Sequence, residues 1–496
     1  MDNQILINVT FNETRVAIME RGSVAELYIE RESTPRIVGN IYKGIVGKVV
    51  PGMQAAFIDI GLEKSGFISV EDVNEDSLYD FYLESGETNE QSKKEEKVLI
   101  QDILREGQHA LVQVLKEPVG GKGAKVSSYI AIPGKYLVLL GTVEIIGISR
   151  KIEDPKERDR LSSVIREMKP KGFGLIARTA SIGASAKELK RDMNELMGRW
   201  EDVRKKSEAR KRPALLYREP KLYIKTVRDF ISTDISKILV DSPEVYKEIK
   251  AYLKRNFSDF KIKVELYKDK EPLFEQFGID NEIRKIFKNK VWLKSGGHII
   301  IEEAEGLTVV DVNTGRYQSG KNQEETIYSL NMEAAQEIVK QIRLRNLVGI
   351  VVIDFIDIRN PKLRGQIYEA FVEALKQDKS RSVVLEMSSF GVIQMTRQRL
   401  RESILTELAE PCPYCEGVGS LKSQYTVSYE IIREIKRHMD KSMRKKKIVV
   451  KANSSVIKAL QSSEKDNMDR MQDKYGVEIV YKPGSGRTEK FQVTVE

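Results

Sequence analysis

Asp311 and Asp354 each stand at the end of a short apolar run, residues 307–310 and 350–353. Between the runs, Ile327, Leu330, Ala334, Ile338 and Ile342 recur at helical spacing, so the segment predicts a strand–helix–strand unit. A helical crossover lets the two strands lie parallel, which brings both carboxylates to one edge of a sheet. Two hard oxygen ligands there suit magnesium, which takes one or two carboxylates and keeps waters for a phosphate-bearing substrate. Asn313 and Arg316 follow just beyond the first aspartate. A strand-terminal aspartate is more often a helix cap or turn starter, so a single one would carry little. A second chemistry stays open: Gly315 to Lys321 has G-x-x-x-x-G-K spacing, as in a nucleotide-binding P-loop. Against it, position 322 is Asn where that motif needs a hydroxyl, and Asp311 is left without a role. Asp357 falls three residues after Asp354; continued strand alternation predicts it on the opposite face.

Cys412-Pro-Tyr-Cys415 holds both cysteines of the chain. The spacing fits a redox pair, but its late position and the glycine-rich EGVGS after it favour a zinc knuckle. Structural zinc takes four ligands, and one chain offers two thiols without a nearby histidine. One zinc shared by two chains, each giving Cys412 and Cys415, satisfies the count and predicts at least a dimer. Unmetallated thiols remain the plain alternative.

Nucleic-acid chemistry is suggested earlier in the chain. From residue 37, β-branched runs broken by glycine predict a small barrel, with Tyr42, Phe57 and Phe67 in its strands and Lys43 and Lys48 beside them. An oligonucleotide-binding barrel uses such aromatics for stacking and such lysines for phosphates. The same rings could equally be core. Acidic residues 71–97 read as an exposed loop pointing away from any RNA face, before further strands near 100–104 and 110–115. Arg178 and Thr179 could hold a terminal phosphate, though such a pair is more often a solvated turn. Arg381, Arg397 and Arg399 are further phosphate candidates, each alone more often a surface charge.

The elements that must position these residues follow from pattern and composition. At 496 residues, with 32% charged and 41% hydrophobic, the chain reads as several cored globular domains. The net charge of +9 permits a nucleic-acid partner without demanding one. No apolar run reaches the roughly 20 residues of a membrane span, the start reads as a strand rather than a signal peptide, and the cysteine usage fits the cytoplasm. Three N-terminal strands (5–9, 14–19, 24–29) are too few to close a core and predict a sheet completed from later in the chain. A long helix is expected over 186–210, with Leu189, Met193, Leu196, Trp200 and Val203 as its buried stripe. After residue 420 the pattern predicts a small α/β domain, whose basic run 441–447 offers a surface to RNA or a partner.

Taken together, QAAFIDIG with SGFISV, GLIARTA, DVNTGR, IDFIDI, FGVIQMTRQRL and CPYCEGVG, in that order over about residues 37–420, resemble the ribonuclease E/G family. The resemblance implies a magnesium-dependent endoribonuclease that cuts single-stranded RNA to 5′-monophosphate and 3′-hydroxyl ends, acting in rRNA and tRNA processing and mRNA decay. It implies Asp311 and Asp354 as magnesium ligands, Asn313 orienting the site with Arg381 nearby, Arg178 and Thr179 as a 5′-monophosphate sensor, and Phe57, Phe67 and Lys116 along the RNA channel. The implied architecture is multidomain: an RNase H-like domain (1–35 and 212–280) interrupted by an OB-fold RNA-binding barrel (36–118) and a 5′-sensor region (119–211). A DNase I-like catalytic domain (281–411), a shared-zinc link (412–420) and a small dimerisation domain (421–496) follow, in a homodimer or homotetramer. The acidic insert departs from the family pattern, and the long scaffold tail of some members is not expected. An ATP-hydrolysing P-loop protein and a non-catalytic RNA binder are the rival classes.

Overall fold

The computed structural model describes residues 3–33, 36–73, 99–118, 122–149, 152–231, 235–257, 262–315, 323–399, 401–438 and 447–496. Two compact units, Met1–Glu407 and Leu408–Glu496, divide the chain. Among the described residues, no helix is long and apolar enough to cross a membrane.

Alternating apolar residues build three antiparallel N-terminal strands, Asn3–Thr10, Glu13–Glu20 and Ser23–Arg31. As expected, later strands complete their sheet: Ile235–Val240 lies parallel to the first, and Lys263–Leu266 parallel to it in turn. Helices Leu222–Phe230 and Pro243–Asn256 supply Val227, Phe230 and Ile249 to a core shared with Ile5, Ile7 and Ile238.

Inserted after the three N-terminal strands is a closed five-stranded barrel. Its order is Ile41–Val50, Ala55–Asp59, Gly66–Ser69, Lys125–Ser127 and His109–Lys116, and the first strand pairs with the last. Val46, Ile58, Ile68, Val112 and Val126 fill it. Gly44 has to be glycine because a Cβ there would meet Ile58 Cγ2 at 2.5 Å. The strand expected near 100–104 is a helical turn, Ile100–Ile103. Ile100, Ile103 and Leu104 belong to the barrel core, and their i, i+3, i+4 spacing is too brief to stand out from a β-branched run. Most of the expected acidic loop (74–97) lies outside the described residues. Its first residues are part of the barrel. Glu71 and Asp72 close the turn Val70–Asp72, where Asp72 caps with Ser69, pairs with Lys125 at 2.9 Å, and accepts from Ser127 Oγ through its carbonyl at 3.0 Å.

A four-stranded sheet follows (Ile146–Ile148, Gly174–Ala177, Leu137–Leu140, Ala131–Pro133), packed against helices Pro155–Met168 and Ala186–Ala209. The second helix starts with a capping box between Ser185 and Glu188 and buries Leu189, Met193, Leu196 and Val203 of the expected stripe, whereas Trp200 is only half-buried.

The last sheet of the first unit has six strands, in the order Lys290–Trp292, His298–Glu303, Leu307–Asn313, Gly349–Asp354, Val392–Arg397 and Ser382–Val384. Helices Gln323–Arg345 and Pro361–Leu375 pack on one face through Val310, Val312, Val351, Ile353, Ile393 and Met395. Leu307, Val309, Ile350 and Trp292 on the opposite face stay exposed. The second unit is a three-stranded sheet (Glu478–Gly484, Lys447–Asn453, Phe491–Val495) with helices Gln424–His438, Ser454–Gln461 and Lys465–Tyr475. The basic run is described from Lys447 onward; 441–446 lie outside the described residues.

Candidate active site and nucleic-acid interface

The crossover helix does what the sequence pattern predicts. Leu307–Asn313 and Gly349–Asp354 are parallel neighbours, and Asp311 is the register partner of Asp354. One strand spacing, about 4.8 Å, therefore separates their backbones, and cross-strand partners point to the same face. Asn313 Nδ2 donates to Asp311 Oδ2 at 2.7 Å, fixing that carboxylate. The Asp354 carboxyl is pushed above its ordinary range by partial burial and then by the Asp311 and Asp357 carboxylates.

Asp357 corrects an expectation. The strand ends at Asp354, so alternation does not extend to 357. The exposed Asp357 acts on Asp354 from the following loop. Fully buried Asn331 holds that loop: its Nδ2 donates to Ile356 O at 2.8 Å and its Oδ1 accepts from Ile356 N at 3.2 Å. An Asn inside the apolar stripe of the crossover helix was the sequence signal for this clamp.

Arg381 is not beside the carboxylates. It precedes the strand whose Ser382 pairs with Arg397, which in turn pairs with Gly349. Gly349 is five residues, or about 17 Å of strand, from Asp354. The exposed Arg381 thus belongs to the opposite end of the sheet, where neighbouring Lys379 donates to the Asp229 carbonyl at 3.0 Å. Arg397 is no phosphate contact: it is buried in a bidentate pair with Asp378 at 2.6 and 3.0 Å. Residues 316–322, including Arg316 and the Lys321 of the alternative P-loop reading, lie outside the described residues.

On the barrel, successive register partners make one row across the strands: Lys48 with Phe57, Phe57 with Phe67, Phe67 with Lys125, and Lys125 with Lys116. Phe57 is 37% exposed and meets Phe67 edge-on at 5.9 Å. Partial desolvation, then Lys125 and Arg399, lower the Lys116 pKa, so cations crowd this row. An anionic strand would relieve that crowding. Tyr42 needs correction. At 4% exposure it is barrel core, with its hydroxyl accepting from Asn40 at 3.3 Å, and it offers no ring face to a base. Lys43 is also occupied, donating to the Ser207 and Arg210 carbonyls, both at 2.7 Å.

Arg178 follows the Gly174–Ala177 strand and is held by the Gly134 carbonyl at 2.6 Å and Asp229 at 2.8 Å. Thr179 Oγ1 lies 3.2 Å from Ser149 Oγ. Arg178 therefore arrives oriented, with its charge partly matched. In the second unit, Cys412 is exposed and Cys415 half-buried. The backbone N–H groups of Cys415 and Tyr414, then the Cys415 thiol, lower the Cys412 pKa, which eases its ionisation. Left-handed Glu416, Gly417 and Gly419 turn the chain sharply after the pair.

No three His, Cys, Asp or Glu side chains come together as a metal-binding group among the described residues. A carboxylate pair is nevertheless a sufficient protein share for magnesium, and the mutual repulsion at Asp354 is what a cation would remove. The thiol pair suits half of a tetrahedral zinc set.

A family model described as "Ribonuclease E/G family" matches residues 131–400, and one described as "RNase E/G, Thioredoxin-like domain" matches 411–495. The chain belongs to the ribonuclease E/G family. Haemophilus influenzae ribonuclease G is 40% identical over 434 residues, covering 88% of this chain and 87% of that protein. Escherichia coli ribonuclease G is 38% identical over 482 residues, 97% of this chain and 96% of its own. Haemophilus influenzae ribonuclease E is 34% identical over 483 residues but is matched over only 50% of its length. Within this ribonuclease E/G chain, Arg178, Thr179, Asp311, Asn313, Asp354 and Arg381 fall inside the first matched segment, whereas Phe57, Phe67 and Lys116 precede it.

Proposed function

We propose that this chain, an endoribonuclease of the ribonuclease E/G family, cuts single-stranded RNA at the Asp311–Asp354 edge with magnesium held by those two carboxylates. The observation that carries the site is the direct register of Asp311 with Asp354 near the same end of the two central strands, with Asn313 fixing one of them. A divalent ion there supplies charge stabilisation and an activated water to phosphodiester hydrolysis. Asp311 and Asp354 provide the ligands, Asn313 keeps Asp311 turned toward the site, and the Asn331 clamp keeps Asp357 close by. The Lys48–Phe57–Phe67–Lys125–Lys116 row tracks an RNA strand by stacking and phosphate contacts, which requires exposed bases and so favours single strands. Arg178 and Thr179 bind a 5′-monophosphate, the arginine exchanging part of its bond to Asp229 for the phosphate.

By the same reading, the N-terminal composite sheet is the RNase H-like domain and the barrel an OB fold. The four-stranded sheet then carries the 5′ sensor, and the six-stranded sheet is the DNase I-like catalytic domain. Cys412 and Cys415 share one zinc with the same pair of a second chain, making a homodimer or homotetramer. The expected setting is cytoplasmic, in rRNA and tRNA processing and mRNA decay.

Incubating the full chain with a labelled single-stranded RNA, with and without magnesium, tests the assignment. Cleavage should need the metal and disappear in Asp354→Asn, while RNA binding persists. Full activity of Asp354→Asn would overturn it. Comparing 5′-monophosphate with 5′-hydroxyl substrates then tests Arg178 and Thr179.

A further inference from the structure

Trp292 stands on the same sheet face as the two aspartates. Lys290 pairs with Ile300, Ile300 with Asp311 and Asp311 with Asp354, while Trp292 pairs with His298 and His298 with Asn313. Cross-strand partners share a face, as do residues two apart on a strand. Lys290, Trp292, His298, Asp311, Asn313 and Asp354 therefore all project to one side. Two strand spacings, about 10 Å, separate the backbones of Trp292 and Asn313.

Among the described residues, the indole is no part of the core between the sheet and its helices. Its neighbours Val291 and Leu293 point into the helix-covered core, whereas Trp292 is 61% exposed on an edge strand. The His298 ring holds it from one side, centroids 5.3 Å apart and planes inclined at 54°. Among the described residues, buried His298 Nδ1 has no hydrogen-bond partner. The Lys290 ammonium lies 4.2 Å over the indole. Exposed Lys288 and Lys294 flank the strand, so this edge is cationic with an aromatic between the charges. Such alternation fits a polyanion whose bases stack.

We propose that Trp292 is a stacking platform for a base of the RNA strand as it passes the Asp311–Asp354 edge, with Lys290 taking an adjacent phosphate. The inference rests on the nuclease reading above and names a subsite within it. An exposed cation–π contact is weaker than base–indole stacking, so an arriving base displaces the ammonium and leaves it free for the backbone. His298 braces the ring and keeps its outer face available.

The chain has two tryptophans, and the other, Trp200, packs edge-on against Phe173 at 6.1 Å on the core of the four-stranded sheet. Fluorescence can therefore be assigned by comparison with Trp292→Phe. In full-length Asp354→Asn, which leaves RNA intact, titration with a ten-nucleotide single-stranded RNA should quench emission, and the added Trp292→Phe change should remove that quench. In the active chain, Trp292→Ala should raise KM about tenfold with kcat within about twofold, and Trp292→Phe should restore most of it. No quench together with an unchanged KM in Trp292→Ala would overturn the proposal. So would a Trp292→Ala chain whose sedimentation shows an altered oligomeric state with normal RNA affinity, since the ring would then be a protein contact. Failure of the wild-type chain to cut RNA, with the quench intact, would sink the nuclease reading and leave the RNA platform standing.

Discussion

Around Asp229, opposite charges alternate: Arg178 lies at 2.8 Å, Arg228 at 3.1 Å, and Arg228 in turn meets Glu219 at 2.8 Å. Among the described residues, the charged groups that shift Asp354 are Asp311 and Asp357, both of its own sign. Burial alone would raise both aspartate pKa values. At Asp229, Arg228 and then Arg178 outweigh burial and hold the carboxyl well below its ordinary range. At Asp354 the neighbouring carboxylates add to it. A balanced cluster can sit inside and join elements; here it ties the turn at Arg178 to the composite sheet, and Lys379 extends it toward the six-stranded sheet. An unbalanced cluster has to stay at the surface, where water and, on the proposed reading, a cation would offset it.

The strongest way to break this contrast is Asp354→Asn or Asp311→Asn. Replacing even an outer-shell partner of a metal site costs about 10–100-fold, so loss of a direct ligand should cost at least about 1,000-fold in RNA cleavage rate. Asp354→Asn should also raise Tm slightly at pH 7 without divalent ions. The sign follows from the raised pKa: the folded state prefers the protonated carboxyl, so ionisation destabilises it as pH rises through that value. The gain should vanish below about pH 3.9, where the wild-type carboxyl is protonated in both states.

Arg228→Ala should cost about 3–5 kcal/mol in a denaturant melt, because it strands Glu219, whose side chain is 8% exposed, and removes the main compensation of Asp229. Asp229 works in the opposite pH sense to Asp354. Its stabilisation is complete above about pH 4 and is lost as pH falls toward its depressed folded value, so acid titration of Tm in Asp229→Asn should be flatter than in wild type. Arg178→Ala should mainly abolish a preference for 5′-monophosphate over 5′-hydroxyl RNA, with 5′-hydroxyl cleavage near wild type. An equal loss on both substrates would make Arg178 a structural member of the balanced cluster. The smallest effect separates the barrel's two kinds of aromatic. Phe57→Ala should weaken single-stranded RNA binding about tenfold, whereas Tyr42→Phe, which loses only the Asn40 contact, should leave it unchanged.

The strand–helix–strand unit was legible because local periodicity encodes it, and with it the pairing of Asp311 and Asp354. The barrel was legible as a barrel but not in its facing. Tyr42 and Lys48 are an even number of residues apart, which simple alternation puts on one side. A β-bulge between Val46 and Lys48 reverses the alternation, so Tyr42 and Val46 point inward and Lys48 outward. A second bulge does the same between Val114 and Lys116. Arg381 and Arg397 looked alike as charges, but strand order alone assigns one to the exposed far end and the other to a buried pair with Asp378.

By itself, then, the sequence determined which residues could form strands, helices and knuckle turns, and the motifs that mark the ribonuclease E/G family, since these depend on neighbours within a few positions. Only the tertiary structure decided which aromatics face outward, that Asp357 bears on Asp354, that Asp229 meets Arg178 from 51 residues away, and that Trp292 shares a face with the carboxylates. Those outcomes depend on bulges, strand ends and sheet order, which are fixed by pairing between distant segments and leave no local period to read.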